Sequence, residues 1–167
     1  MNPRNFVLWD FAGVDGLQAA IALFSSGVTH LAPFQSLTVA FEAQPGSVLR
    51  LCEGNFRVAL REEVDFEGAI ASLGLKVWVK PCRTANLVMP PTLGLERLAQ
   101  VATTKPLFTL HPFPCDRAVP ARINGTAILA WHHFWEGQPR LLIQTAAADA
   151  GSIQRALTGD ASGFGNF

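Results

Sequence analysis

The chain has 167 residues, of which 49% are hydrophobic and 16% are charged, and its formal net charge at pH 7 is zero. This length fits one domain or two small half-domains, and the apolar content is enough for a sizeable core, which excludes a disordered chain. The balanced charge excludes the overall basic field of a free-standing polyanion binder. Three widely spaced cysteines favour neither a disulfide framework nor a zinc site.

The first sixty residues predict strands around one helix. The apolar, aromatic-rich run over residues 6–11 indicates a buried strand, and Asp15 can cap a helix that follows it. Residues 36–42 alternate between apolar and polar side chains, as a half-buried strand does. Two further alternating runs lie on either side of residues 53–55, which predicts a hairpin.

A basic face is predicted shortly before the middle of the chain. Asp65 can cap a second helix, and the strand expected over residues 75–80 places Lys76, Trp78 and Lys80 on one face. With Arg83, this segment holds three cations and no acid. A cation, an aromatic and a cation on one strand face predict an RNA platform. The alternative interpretation is an ordinary solvated face with one amphipathic tryptophan.

The second half repeats the mixture of strands and helices. Pro90-Pro91 indicates a boundary, which predicts an N-terminal half of residues 1–90 and a C-terminal half of residues 91–167. A third helix is expected from Thr92, an extended proline-rich connector over residues 105–121, and then a hairpin and a last helix. This order predicts an α+β fold with antiparallel sheets.

Acid–base chemistry near neutral pH would use one of four histidines. His132 and His133 are neighbours on a predicted strand and therefore point to opposite faces, while His111 lies among prolines in a turn. His30 follows the first helix, where a loop would expose it. No metal-ligand spacing, G-x-S-x-G or G-x-G-x-x-G motif occurs, so any reaction is expected to need neither a metal nor a cofactor.

The C-terminal segment carries the one family resemblance. A helix of the form D-x-x-x-I-x-x-A-L runs into a glycine-rich end, and this resembles the glycine-rich loop of the RAMP superfamily of CRISPR proteins. The matching residues are Asp149, Ile153, Ala156, Leu157, Gly159, Gly163 and Gly165. Glycines let a backbone approach a phosphate closely and form an anion-binding nest. The resemblance implies ferredoxin-like (RRM-like) β-α-β-β-α-β modules.

Two activities follow from this resemblance. One is metal-independent cleavage of CRISPR repeat RNA, with His30 as the catalytic histidine and Arg155 or Lys80 stabilising the transition state. The other is holding crRNA as a subunit of a multi-protein effector complex. In both cases RNA is the partner, and the expected RNA-binding residues are Lys76, Trp78, Lys80, Arg83, Arg155, Gly159, Ser162, Gly163 and Gly165.

A competing hypothesis needs no RNA. A small α+β protein could bind a small molecule or another protein through the aromatic cluster Trp131, Phe134 and Trp135. A chain with so few charges also has the composition of a permanent subunit of a larger assembly. The N-terminus lacks the pattern of a signal peptide, and no apolar run reaches the roughly 18 residues of a membrane span. The expected location is therefore the cytoplasm, with no membrane partner.

Overall fold

A computed structural model describes residues 6–159, which form an α+β fold with two five-stranded antiparallel sheets. The predicted α+β class with antiparallel sheets is confirmed. The strands are β1 (Val7–Ala12), β2 (Ser36–Phe41), β3 (Gln44–Cys52), β4 (Asn55–Leu60), β5 (Trp78–Pro81), β6 (Ala85–Met89), β7 (Ala102–Thr104), β8 (Arg117–Ile123), β9 (Thr126–Trp135) and β10 (Gln138–Thr145).

Four α-helices lie in the described part of the chain: α1 (Gly16–Leu23), α2 (Phe66–Ser72), α3 (Pro91–Val101) and α4 (Ala150–Thr158). Two short 3₁₀ helices cover Ser26–His30 and Ala147–Asp149. No helix within residues 6–159 has the length and apolar character needed to cross a membrane.

The chain divides into two compact units. Of the described residues, unit 1 contains 6–82, 115–118 and 133–138, and unit 2 contains 83–114, 119–132 and 139–159. The first sheet has the strand order β2-β3-β4-β1-β5, and the second has the order β6-β10-β9-β8-β7. In the first sheet β1 therefore lies between β4 and β5, antiparallel to both.

Unit 1 has an aromatic core built on one face of β1. Phe11 and Phe56, from the paired strands β1 and β4, stack with ring centroids 5.3 Å apart, and Phe66 of α2 meets Phe11 edge-on at 5.7 Å. All three side chains are fully buried. Because successive strand residues point to opposite faces, Asp10, between Trp9 and Phe11, is directed away from this cluster.

The start of α1 lies against the β3–β4 turn so closely that only glycine fits. A Cβ added at Gly16 would lie 2.1 Å from the Gly54 carbonyl oxygen, and one added at Gly54 would lie 2.6 Å from the carbonyl oxygen of Gly13. Asp15 occupies the predicted N-cap position of α1 but makes no capping hydrogen bond there. Its carboxylate instead accepts the Lys76 backbone N–H at 2.8 Å, so a residue predicted as a local cap makes a long-range contact.

Unit 2 has a separate aliphatic core. Leu98 of α3 and the strand residues Ile123, Leu141 and Ile143 are fully buried in it. Arg97 links α3 to α4, because its Nε–H donates a hydrogen bond to the carbonyl oxygen of Ala156 in α4 at 3.0 Å.

Two local predictions in this region were wrong or incomplete. The extended connector expected over residues 105–121 becomes strand β8 from Arg117 onward, because pairing with β7 and β9 outweighs the effect of Pro120. Strand β6 was not predicted, since its residues do not alternate clearly between apolar and polar and four of the five are half-buried.

The three cysteines have no disulfide and differ in environment. Cys52 is exposed, whereas Cys82 and Cys115 are half-buried. Burial raises the pKa of the Cys115 thiol, and the negative charge of Asp116 raises it further. The neutral thiol is therefore the form that the native fold favours.

Replacing Gly16 with alanine should destabilise the fold although alanine is the better helix former. The added methyl group has to displace the Gly54 backbone, and such overpacking lowers the free energy of unfolding by about 1–3 kcal/mol. In a chain of this size, that loss lowers the melting temperature by roughly 2–10 °C. Gly151→Ala in α4 is the matched control, because the nearest atom to its added Cβ is the end of the flexible Arg155 side chain at 3.8 Å. Thermal unfolding followed by circular dichroism measures both. Equal melting temperatures for the two variants would contradict the steric argument.

Alkylation should distinguish the cysteines by pH. The thiolate is the reactive form, so near pH 8.5 iodoacetamide should modify exposed Cys52 before Cys115, and the difference in rate should narrow as the pH rises through the raised pKa of Cys115. Mass spectrometry of timed samples gives both rates. Asp116→Asn removes the neighbouring charge and keeps a residue that tolerates the positive φ of 62° at this position, so it should speed modification of Cys115. No change in this variant would rule out the effect of the Asp116 charge.

Candidate functional site

The predicted basic face lies on unit 1, along β5 and the residues that lead into it. Leu75, Val77 and Val79 pack against the core of unit 1. The alternate residues Lys76, Trp78 and Lys80 are exposed. The alternating pattern in the sequence therefore describes this segment correctly, although the regular strand begins only at Trp78.

Pairing with β1 and a tight corner fix the position of this face. In the β1–β5 pair, Trp78 lies opposite Ala12 and Lys80 lies opposite Asp10. Beyond the end of β1, a Cβ added at Gly13 would come within 2.2 Å of the Lys76 carbonyl oxygen. The corner between β1 and α1 is thus in van der Waals contact with the start of the exposed face.

Trp78 and Lys80 form a cation–π pair. They are two residues apart on the same side of a strand, and the Lys80 Nζ lies 5.0 Å from the centroid of the Trp78 ring. At an exposed site such a pair contributes about 0.5–1 kcal/mol, enough to favour this arrangement without immobilising it. Trp78 remains 49% exposed, so much of the indole can contact another molecule.

The carboxylate that lies opposite Lys80 is already paired with another cation. Arg57 on β4 contacts Asp10 with two hydrogen bonds, Nε–H to Oδ1 at 2.6 Å and Nη2–H to Oδ2 at 2.9 Å. Burial opposes the charge of Arg57, but the hydrogen bonds and negative charge of Asp10 outweigh it and raise the pKa of the guanidinium. Asp10 and Arg57 therefore form a largely buried, neutral pair.

The cations of the face keep their charge unneutralised. Within residues 6–159, no carboxylate lies within ion-pair distance of Lys76, Lys80 or Arg83. Asp10, which lies opposite Lys80 on β1, is paired with Arg57, and the Asp15 carboxylate accepts the Lys76 backbone N–H. We call Lys76, Trp78 and Lys80 the Trp78 surface. It combines an exposed aromatic ring with two unpaired positive charges.

The other predicted site residues lie elsewhere or outside the described residues. His30 is exposed at the end of the 3₁₀ helix of unit 1. Arg155 and Gly159 belong to unit 2, where Gly159 ends α4 in the left-handed conformation with φ of 74°. Ser162, Gly163 and Gly165 lie outside the described residues. The roles of these residues stay untested predictions.

The aromatic cluster predicted as an alternative binding site is mostly interior. Trp131 and Trp135 are buried, and Phe134 is at the margin of exposure. Trp135 packs against Phe6, with ring centroids 5.1 Å apart.

The adjacent histidines of β9 are buried as well. His132 is hydrogen-bonded through Nδ1 to the Phe113 carbonyl oxygen at 3.0 Å, and His133 is fully buried. Neither histidine faces solvent as an accessible acid or base. No group of three potential metal ligands is found within residues 6–159.

An open groove of about 750 Å³ runs along α3 in unit 2. Its walls are one side of α3 and the loop before Cys115, and its polar side chains include Glu96, Gln100 and His111. Gln100 accepts a long hydrogen bond from Arg97 at 3.4 Å. Most of the lining is apolar, so the groove could take an apolar group.

Sequence reasoning missed both the groove and the Asp10–Arg57 pair. A signal for the pair was present, since each of these residues is the only charged residue in its strand. Partner choice depends on strand register, which the sequence does not reveal. The groove gave no comparable signal, because it depends on how residues 110–113 fold against α3.

The fold is shared with two solved enzymes. No protein-family model matches the chain, and no curated protein matches it. The structure is similar to glycine cleavage system aminomethyltransferase T from Bartonella henselae, with a TM-score of 0.71 and 13% identity over 93% of this chain. It is also similar to a chain of heterotetrameric sarcosine oxidase from Corynebacterium sp. U-96, with a TM-score of 0.65 and 16% identity over 97% of this chain.

The two matches differ in how much of the other protein they cover. This chain spans 44% of the aminomethyltransferase chain but 82% of the sarcosine oxidase chain.

These similarities overturn the RNA hypothesis. The resemblance to RAMP proteins was wrong, and with it the assignment to CRISPR RNA binding or cleavage and the choice of RNA as partner, because the structural neighbours are an aminomethyltransferase and a sarcosine oxidase. A glycine after a helix is also the ordinary way to end it, and Gly159 does this. The glycine pattern was therefore too general to identify a family.

Breaking the Asp10–Arg57 pair should destabilise the protein more than breaking an exposed pair does. Asp10→Asn leaves a mostly buried guanidinium without its counter-charge, which should lower the free energy of unfolding by about 2–4 kcal/mol. Glu136→Gln is the control, because the Arg61–Glu136 pair is more exposed and its loss should cost less than about 1 kcal/mol. Urea denaturation measures both changes. Equal losses would show that burial does not set the importance of the Asp10–Arg57 pair.

Proposed function

We propose that this chain is a subunit of a heteromeric enzyme that oxidises sarcosine or a similar small amino acid. The observation that carries the proposal is the near end-to-end similarity to one chain of heterotetrameric sarcosine oxidase, covering 97% of this chain and 82% of that one. The two chains are thus close in length as well as in fold. A single chain of a heterotetramer works with the others, so the proposed role is that of an assembly component.

The surface of the chain supports this role. Several large apolar side chains are exposed, including Val14 at 82%, Leu93 at 70% and Leu107 at 93% of their surface, in addition to Trp78. Only 16% of the residues are charged. Interfaces between subunits are depleted of charged residues and enriched in aromatic side chains at their centres. An assembled state would cover some of this apolar surface.

A second candidate function rests on the higher TM-score of 0.71 to aminomethyltransferase T. This chain spans 44% of that enzyme, so a transferase of that type would need further polypeptide to supply the rest. The chain would then bind a second protein to complete an aminomethyl-transfer site. In both candidate functions this chain needs a partner protein. The two functions differ in the reaction, which is oxidation in one and aminomethyl transfer in the other.

Finer points of the architecture and location belong to the same proposal. We propose that unit 1 is an elaborated ferredoxin-like sheet, supported by the strand order β5-β1-β4-β3 with β2 added at the edge. The sequence halves 1–90 and 91–167 would supply most of the two sheets. The proposed location is the cytoplasm, in keeping with three free cysteines.

Capture of the tagged chain from its native cells tests the proposal. We expect it to elute from a sizing column well above its 18.0 kDa mass, together with partner chains, in fractions that consume oxygen when sarcosine is added. Deletion of the chain should abolish that oxygen consumption in extracts, and a plasmid copy should restore it. Cells carrying the tag alone are the control.

Two results would count against the oxidase role. A monomeric chain, with sarcosine-dependent oxygen consumption eluting elsewhere and surviving the deletion, would exclude it. Glycine-dependent aminomethyl transfer in the captured fractions, without oxygen consumption, would instead support the transferase candidate.

A further inference from the structure

We propose that the Trp78 surface is the docking site for an acidic segment of a partner polypeptide. This inference rests on the proposed function, because the partner is taken to be another chain of the same enzyme. In the proposed contact an apolar side chain of the partner covers the Trp78 ring. Carboxylates beside it meet Lys76 and Lys80.

The apolar component of the proposed contact comes from Trp78 and its surroundings. The indole is 49% exposed on a strand whose other face is packed against the core of unit 1. Val14 lies at the corner that contacts the start of this segment and is 82% exposed. A tryptophan fixed by its strand loses little conformational freedom on binding, which is why such residues dominate binding energies at interfaces.

The electrostatic component selects acidic partners. Lys76 and Lys80 have no carboxylate within ion-pair distance in the described residues, and Asp10, opposite Lys80, is neutralised by Arg57. Complementary charge raises the rate of association and excludes partners with positive charge. Because the net charge of the whole chain is zero, this local positive charge would attract an acidic partner to the Trp78 surface and not to the protein as a whole.

The partner is expected to bind by side chains and not as an added strand. β5 is at the edge of its sheet, where an unpaired backbone could accept another strand. The Cys82 N–H donates to the Leu8 carbonyl at 2.8 Å, so by strand alternation the backbone groups of Val79 and Pro81 point outward. Pro81 has no N–H, which interrupts the ladder that an added strand would need.

Poly-L-glutamate provides a probe that does not require the partner to be known. Binding of fluorescently labelled poly-L-glutamate to the full-length chain, followed by fluorescence anisotropy at low salt, should weaken as salt is added. Lys76→Glu with Lys80→Glu should weaken binding by about tenfold or more, because two attractions become repulsions. Trp78→Ala should weaken it several-fold. Lys105→Glu, an exposed cation in unit 2, is the control and should have little effect.

A second arm uses the assembled enzyme. A photo-crosslinking amino acid at position 78, in the complex captured from native cells, should join this chain to an acidic segment of a partner chain. The Lys76→Glu, Lys80→Glu variant should be captured with much less partner than the Lys105→Glu variant.

The outcomes separate the two proposals. Absence of poly-L-glutamate binding, an equal loss in Lys105→Glu, or tighter binding of single-stranded poly(U) overturns the docking site whatever the complex shows. A stable complex without a crosslink from position 78 also overturns it and leaves the proposed function standing. Binding of poly-L-glutamate at the Trp78 surface by a chain that forms no complex supports the docking site and contradicts the proposed function.

Discussion

The close backbone contacts at Gly13, Gly16 and Gly54 are the constraint on which unit 1 depends. Each of these positions faces a carbonyl oxygen at a distance that leaves no room for a side chain. The contacts hold three separate parts of the chain together: the corner after β1, the β3–β4 turn, and the residues that lead into β5. The Gly13 contact brings the residues that lead into β5 against the corner after β1, next to the strand pairing that places Trp78 opposite Ala12 and Lys80 opposite Asp10.

The positive charge on the surface of the same sheet depends on which cation pairs with Asp10. Asp10 lies opposite Lys80 on β5, but it forms its ion pair with Arg57 on β4, the other neighbouring strand. The planar guanidinium can donate two parallel hydrogen bonds to a carboxylate, which an ammonium group cannot do. The stronger pair therefore forms in the partly buried position, and the lysine remains available at the surface. A neutral protein can in this way present a local charge.

Much of the local structure could be predicted from the sequence, because its signals are local. The alternation of Leu75, Val77 and Val79 with lysine and tryptophan predicts a two-sided strand, and the structure places one side in the core. Asp65 caps α2 as predicted, with its carboxylate accepting the Gly68 N–H at 2.9 Å.

The errors arose where the outcome depends on distant residues. Asp15 had the sequence position of a cap, yet a residue sixty-one positions away takes its hydrogen bond. The family resemblance failed for a related reason. It rested on a helix end and a few glycines, which many unrelated folds need, while the arrangement of ten strands that identifies the neighbours is not visible in any short motif.

Unit 1 is completed by two short segments from much later in the chain. Residues 115–118 supply hydrogen bonds to the residues just before and at the start of β2, since Asp116 accepts the Ser36 N–H and Ala118 donates to the Phe34 carbonyl. Residues 133–138 supply Trp135, which packs on Phe6. During synthesis on the ribosome, the first eighty residues must therefore wait for more than fifty others before their last contacts can form. Until then the growing chain exposes apolar surface, and its folding is dominated by long-range contacts, which form slowly.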